Sequence, residues 1–204
     1  MRTFKMKKYT PPAEQSGETA SEFWLGMLHD LAYILAVVVV LCLLCFRVVV
    51  VSGPSMYHTL VDGDYLLLLN NTLYHNPQQG DIVVAGRTGY GEGEPIVKRV
   101  IATEGQEVNI DFNQGVVYVD GVALEEPYTY TSTTLWEGTN FPQTVEPGHV
   151  FLMGDNRMNS MDSRDPRIGQ VDTRQILGKA VVLFLPGNNG GMEEKDFSRI
   201  GVID

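Results

Sequence analysis

Residues 31–56 read LAYILAVVVVLCLLCF, then RVVVV, then SGPSM, and the change of character within that stretch decides the architecture. Leu31–Phe46 carries no charge over sixteen residues, a little short for a bilayer core of about 30 Å. Val48–Val51 continue it beyond Arg47, and Leu25, Met27 and Leu28 extend it backwards past His29-Asp30. Arg47 can snorkel to the interface and a bilayer can thin locally. Trp24 and Tyr33 suit the headgroup boundary. The alternative is a cleaved secretory signal. About thirty residues precede the apolar run, longer than a usual signal n-region, and no small-x-small site follows. The stretch therefore predicts a retained transmembrane helix. Arg2, Lys5, Lys7 and Lys8 lie before it and predict a cytoplasmic N-terminal side, which Arg47 opposes only weakly. The expected division is a cytoplasmic tail over 1–23, an anchor over 24–47 and an extracytoplasmic domain over 48–204. Residues 9–22, YTPPAEQSGETASE, read as a flexible tether.

Outward from Ser52-Gly53-Pro54-Ser55-Met56 the pattern changes to β. Tyr65–Leu69, Asp81–Ala85, Ile96–Ala102, Glu107–Ile110, Val116–Val119, Val150–Met153 and Ala180–Leu185 are short apolar runs separated by turn residues. Asp120-Gly121 between VVYV and VAL is a two-residue hairpin signal. No helical period persists outside the anchor. The expected fold is mostly β, a barrel-like antiparallel sheet domain with one N-terminal transmembrane helix. Gly86–Gly93 (GRTGYGEG) reads as a hairpin loop, residues 127–143 as a long irregular surface loop, and Gly187–Glu194 as a mobile tail.

The chain of 204 residues has a formal net charge of −10 and is 44% hydrophobic and 20% charged. That suffices for one medium domain with a core plus an anchor. The acidic balance, with no basic block after the apolar run, disfavours nucleic acid as a partner. Both cysteines, Cys42 and Cys45, fall inside the apolar run. The domain beyond it therefore has no disulfide and no thiolate metal site to draw on.

Of the four histidines, His29, His58, His75 and His149, none sits in a recognisable triad context, and neither a GxSxG elbow, an HExxH helix nor an SxxK motif occurs. Attention turns to serine and lysine. A serine hydroxyl is a poor nucleophile until a base takes its proton. Lysine can be that base if its pKa falls well below the ordinary value of about 10.4, and burial has that effect. In Pro95-Ile96-Val97-Lys98-Arg99-Val100-Ile101, strand alternation places Lys98 with Ile96 and Val100. Arg99 shares its face with Val97 and Ile101, so alternation alone does not single out Lys98. Each signal also has a plain structural explanation: Ser55 as a turn residue, Lys98 as a snorkelling or paired lysine, and Gly154–Arg164 as a salt-bridged loop.

Three blocks in this order, VSGPSMYHTL (51–60), VKRVI (97–101) and GDNRMNSMDSR (154–164), resemble the type I signal peptidases, with the Gram-positive-like members most similar. These are membrane-bound enzymes that remove signal peptides from exported proteins, and the resemblance runs from the anchor to about Leu185. It implies a Ser/Lys dyad, with Ser55 the nucleophile and Lys98 the general base. Ser160 is implied as the serine that orients the lysine amine, and Asp162 and Arg164 as a supporting pair. Asp155, Asn156 and Arg157 match the structural start of the third block. The oxyanion hole would use the Ser55 N–H. Position 53, where some members add a serine hydroxyl, is Gly53 here, so any second donor would be backbone or water. The chain has His58 where the family usually has proline, and ATEGQ (102–106) where a Gly-x-Pro-Gly-Asp pattern is more usual. The second departure is expected to be neutral.

The implied substrates are pre-proteins with small residues at −1 and −3. The implied partners are those pre-proteins, the lipid bilayer and the export machinery, with no cofactor and no metal. An apolar surface near Met56 would rest on the membrane. Two rivals share the residues: a soluble self-cleaving Ser/Lys peptidase, opposed by the anchor, and an inactive tethered β module, opposed by the presence of Ser55, Lys98, Ser160 and Asp162.

Overall fold

The computed structural model describes residues 20–86, 95–191 and 194–203. The basic residues Arg2–Lys8, most of the tether and nearly all of the GRTGYGEG loop lie outside them. The chain forms two compact units, Met1–Leu41 and Cys42–Asp204.

Helix α1 spans Ala20–Cys45. Its Phe23–Cys45 portion is the one helix among the described residues long and apolar enough to cross a membrane. At about 1.5 Å per residue it measures roughly 35 Å, longer than a bilayer core. The helix stops at Cys45, and the Leu44 carbonyl accepts from Asn70 Nδ2 at 3.0 Å. The valines that follow do not prolong the span, contrary to expectation. Phe46–Val50 is strand β1, paired antiparallel with β2 (Tyr65–Asn70) from Phe46↔Leu69 to Val50↔Tyr65. A run of β-branched residues suits a membrane helix and a strand alike. The presence of a partner strand, YLLLLN, decides it.

The remaining strands are β3 (Ile82–Ala85), β4 (Ile96–Thr103), β5 (Glu107–Asp111), β6 (Val116–Val119), β7 (Val122–Ala123), β8 (Gln143–Thr144), β9 (His149–Met153), β10 (Val171–Asp172), β11 (Ile176–Leu185) and β12 (Gly201–Val202). The larger sheet runs β1-β2-β11-β3-β4-β9-β10, with β12 on β11, and curls as a half-barrel. The smaller sheet runs β7-β6-β5-β8, and the pairings in both are antiparallel. The expected mostly β, barrel-like antiparallel class is what the chain adopts. Asp120 (φ 52°) and Gly121 (φ 77°) close the β6–β7 hairpin in the left-handed conformation that a two-residue turn demands. The ATEGQ turn closes without proline, the Gln106 side chain accepting from Thr103 N at 2.9 Å.

The core lies in three clusters. One joins β2, β3 and β11 to Met56 and Leu60 of the segment after β1. A second fills the space between the two sheets around Ile101, Val108, Val117 and Phe151. The third packs Val83, Val100, Leu152 and Ile176. Met56 is 1% exposed. It is a core residue beneath the turn that presents Ser55 and adds no exposed apolar surface of its own. Two further expectations change. Residues 127–143 lack strands until β8, yet Thr133 is buried and Tyr130 N donates to Asp155 O at 3.0 Å. The start of the supposed mobile tail is pinned, Gly187 N donating to Asp64 Oδ1 at 2.7 Å and Asn189 N to Asp62 O at 3.1 Å.

Candidate functional site

The segment after β1 is a turn held at both ends. Val51 N donates to Asp64 O at 2.8 Å and Gly63 N to Val51 O at 2.9 Å. Between them Gly53 takes φ 84°, a conformation that favours glycine, and its N–H donates to Asp62 Oδ1 at 2.8 Å. That amide is thereby committed within the turn, and Gly53 has no side chain to offer. Leu60 N donates to Met56 O at 2.9 Å, and both side chains are buried. Ser55 stands at the crest. Its carbonyl accepts from Asn156 N at 3.0 Å, and the Pro54 carbonyl accepts from Asn156 Nδ2 at 3.2 Å. Among the described residues, the Ser55 N–H donates to no protein acceptor.

Strand β4 brings Lys98 to this turn. Lys98 pairs in register with Val83 and is 3% exposed. Its Nζ donates to Ser55 Oγ at 2.7 Å and to Val97 O at 3.1 Å. Lys98 through Ala102 are all buried, which is why alternation could not tell Lys98 from Arg99. The neighbour has a different role. Arg99 donates to both oxygens of Asp155, Nε to Oδ1 at 3.0 Å and Nη2 to Oδ2 at 2.9 Å. Its guanidinium also stacks 3.9 Å from the Tyr128 ring centroid. Asp155 accepts from Thr59 Oγ1 at 2.6 Å as well. This one carboxylate therefore ties β4, the Ser55 segment and the third block together.

The third block is built around Asp162, which is fully buried. It accepts from Gly154 N at 2.9 Å, Ser160 Oγ at 2.8 Å, and Arg164 Nε and Nη2, each at 2.9 Å. Burial alone would push the Asp162 carboxyl up. The Arg164 guanidinium and the other donors outweigh it and hold the carboxyl below its usual range. Ser160 spends its only proton on Asp162, so its oxygen is left as an acceptor. Gly154 is required by close approach: a Cβ there would lie 2.2 Å from Ser160 Oγ and 2.5 Å from the Ser55 carbonyl oxygen. Ser55, Ser160, Asp162 and Arg164 thus converge on one side of β4 and β9.

Reasoning from sequence placed Arg157 in the third block but missed Glu126, Thr133 and Glu137 beside it. Arg157 is fully buried between Glu126 (Nη2–Oε1 2.5 Å) and Thr133 Oγ1 (2.6 Å). Both partners lie before β8, in a region with no motif of its own. Glu137 lies on the same region with Oε1 3.7 Å from Arg164 Nη2, and its buried Oε2 has no hydrogen-bond partner among the described residues. Burial pushes the Glu137 carboxyl up to about 7, against the pull of Arg164. His58 is exposed, and its ring lies against Tyr57 and Tyr130. His149 begins β9 and its Nδ1 lies 3.0 Å from the Pro147 carbonyl.

The family pattern for signal peptidase, peptidase S26, matches residues 24–185. The chain is similar to a probable signal peptidase I-1 of Synechocystis, 35% identical over 179 residues, 82% of this chain and 87% of the relative. It is also similar to signal peptidase I T of Bacillus subtilis, 35% identical over 153 residues, 70% of this chain and 76% of the relative. A crystal structure of a signal peptidase I from Enterococcus faecalis is 28% identical and covers 51% of this chain and 96% of its own, with a TM-score of 0.40.

Proposed function

The chain belongs to the signal peptidase family, peptidase S26, and from that premise we propose that it is a membrane-anchored endopeptidase removing signal peptides with a Ser55/Lys98 dyad. It is a serine peptidase, a hydrolase. The observation that carries the dyad is the 2.7 Å separation of Lys98 Nζ and Ser55 Oγ, with the lysine buried. At that distance a neutral amine takes the hydroxyl proton as Oγ bonds to the scissile carbonyl carbon. The oxyanion that forms faces the unengaged Ser55 N–H. Collapse breaks the C–N bond, and the Lys98 ammonium returns its proton to the leaving amine. Lys98 then activates water to release the acyl group. Ser160 accepts from the lysine and keeps its lone pair on Ser55, while Asp162 and Arg164 fix Ser160. With the Gly53 amide held by Asp62, the second oxyanion donor is water or another backbone group.

Helix α1 anchors the domain through its Phe23–Cys45 portion, and Arg2, Lys5, Lys7 and Lys8 hold the tail before it on the cytoplasmic side, leaving the domain from β1 onward outside. Substrates reach the site from the bilayer and the export machinery. Protease added to intact spheroplasts should then digest the domain; protection until lysis would overturn the orientation.

The test of the dyad is initial rate against pH on one pre-protein. Ser55→Ala and Lys98→Ala should each lose several orders of magnitude, and Lys98→Arg should fail equally because a guanidinium stays protonated. His58→Ala should keep most activity and the same acid limb. A dead His58→Ala beside an active Lys98→Ala would replace the lysine with a histidine base.

A further inference from the structure

The third block and the strap that crosses it hold more charge than the dyad requires. Asp162 and Arg164 neutralise each other, and so do Asp165 and Arg167, whose Nε lies 3.0 Å from each carboxylate oxygen. Glu137 is the acid left over. Its strap is fixed: Trp136 Nε1 donates to Thr139 O at 2.7 Å, Thr139 N to Arg164 O at 3.1 Å, and Arg164 Nη1 to Leu135 O at 3.4 Å. Yet the carboxyl makes no close hydrogen bond with Arg164, and Oε2 is buried without a hydrogen-bond partner among the described residues. A buried carboxylate so poorly compensated is costly when ionised.

Arg164, paired with Asp162, lies 3.7 Å from the Glu137 carboxyl, and Glu137 lines one cleft with Ser160, Asp165 and Arg167; Lys98 of β4 is the further cation whose charge reaches it. We propose that Glu137 is a positioning residue of the dyad, whose carboxyl sets the net charge Lys98 faces and hence the pH at which the amine becomes a base. Protonated, Glu137 leaves Lys98 among internally neutral pairs, and the ammonium loses its proton more readily. Ionised, it adds one negative charge and holds the ammonium. The two groups titrate as a coupled pair. The burial that raises the Glu137 carboxyl brings this exchange near neutral pH.

This rests on Lys98 being the base, and the experiment separates the two. The acid limb of kcat/KM against pH is measured on one pre-protein for the full chain, wild type beside Glu137→Gln, Glu137→Ala, Glu137→Asp and Lys98→Ala. Gln and Ala should both move the limb to lower pH by about 0.5 to 1, the size expected of one charge acting over roughly 12–24 Å at an effective dielectric of about 20, or over less with solvent screening. Activity below the limb should rise about three- to tenfold. Asp, which keeps the charge, should leave the limb near the wild-type position. A purely structural Glu137 would lower kcat/KM by one factor at every pH with the limb unmoved, and that result overturns the inference. So does an equal displacement in Asp and Gln. An active Lys98→Ala would sink the dyad itself; an inactive one beside an unmoved limb sinks only the role of Glu137.

Discussion

At the scale of single residues the site is a problem of crowding and of charge. Gly154 illustrates the first. Its α-carbon lies where the Ser55 carbonyl and the Ser160 hydroxyl come closest, and a methyl group would meet both below 3 Å. Neither neighbour can yield without moving the nucleophile turn or breaking the Ser160–Asp162 bond. Gly154→Ala should therefore cut kcat by at least about a hundredfold, the scale of a misplacement of an ångström or less; wild-type kcat in this variant would refute the packing argument. Asp162 illustrates the second. Its folded-state carboxyl lies below the usual range, so it contributes stability that is present above about pH 3.9 and lost as pH falls through the folded value. Asp162→Asn leaves Arg164 buried without its counter-charge and should cost about 3–5 kcal/mol at pH 7. The gap between the wild-type and variant urea midpoints should stay constant above about pH 5 and narrow only as the pH is taken below about 3.9. Parallel curves would show that Asp162 is not the titrating group. Ser55 and Lys98, which lie 2.7 Å apart, could be singled out in the sequence because each sits in a short block whose neighbours carry the resemblance. Glu126, Thr133 and Glu137 could not, because their importance lies in contacts with Arg157 and Arg164, 24 to 31 positions away, and no local pattern encodes that.

Elements were legible wherever alternation or a turn dipeptide survived. Strands β2 to β6, β9 and β11 were found from their apolar runs, and the β6–β7 hairpin from Asp120-Gly121. The two-residue strands β8, β10 and β12 left no signal, since a pair of bridging residues has no period. Strand β1 was hidden by its valines. The element-scale surprise is how the C-terminal segment is used. Asp64, fully buried, accepts from Val61 N at 2.8 Å, Gly187 N at 2.7 Å and Arg199 Nη2 at 2.7 Å. It clamps the end of the chain to the turn that carries Ser55. Asp64→Ala orphans two backbone donors and a guanidinium, each buried donor costing about 1–3 kcal/mol. The expected loss is about 3 kcal/mol in a urea melt, with faster proteolysis after residue 185. A change below about 1 kcal/mol would mean that the clamp is redundant.

For the whole molecule, the decisive feature is an apolar sheet face on the unit that carries the dyad. Phe46, Val48 and Val50 of β1, Tyr65 of β2, Phe184 of β11 and Val202 of β12 are all exposed. The order β1-β2-β11, with β12 on β11, makes them neighbours, and the Tyr65 and Phe184 rings lie 6.1 Å apart. A contiguous apolar patch is unusual on a free soluble surface. Such a face suits contact with a bilayer better than buried Met56 does. At about 25 cal/mol per Å² of apolar area removed from water, six such side chains supply several kcal/mol, enough to hold the domain at the interface. Charges placed on the face should reverse that gain without touching the dyad. Val50→Lys with Val202→Glu, two exposed positions on strands at the margin of the sheet, should leave the thermal midpoint and the cleavage of a short water-soluble peptide unchanged. Cleavage of the same site in a pre-protein embedded in vesicles should fall about tenfold or more, since placing two charges where apolar groups met lipid costs more than the 1.4 kcal/mol that a factor of ten requires. Equal slowing on both substrates would trace the effect to the catalytic centre, and undiminished cleavage in vesicles would show that this face adds nothing to membrane binding.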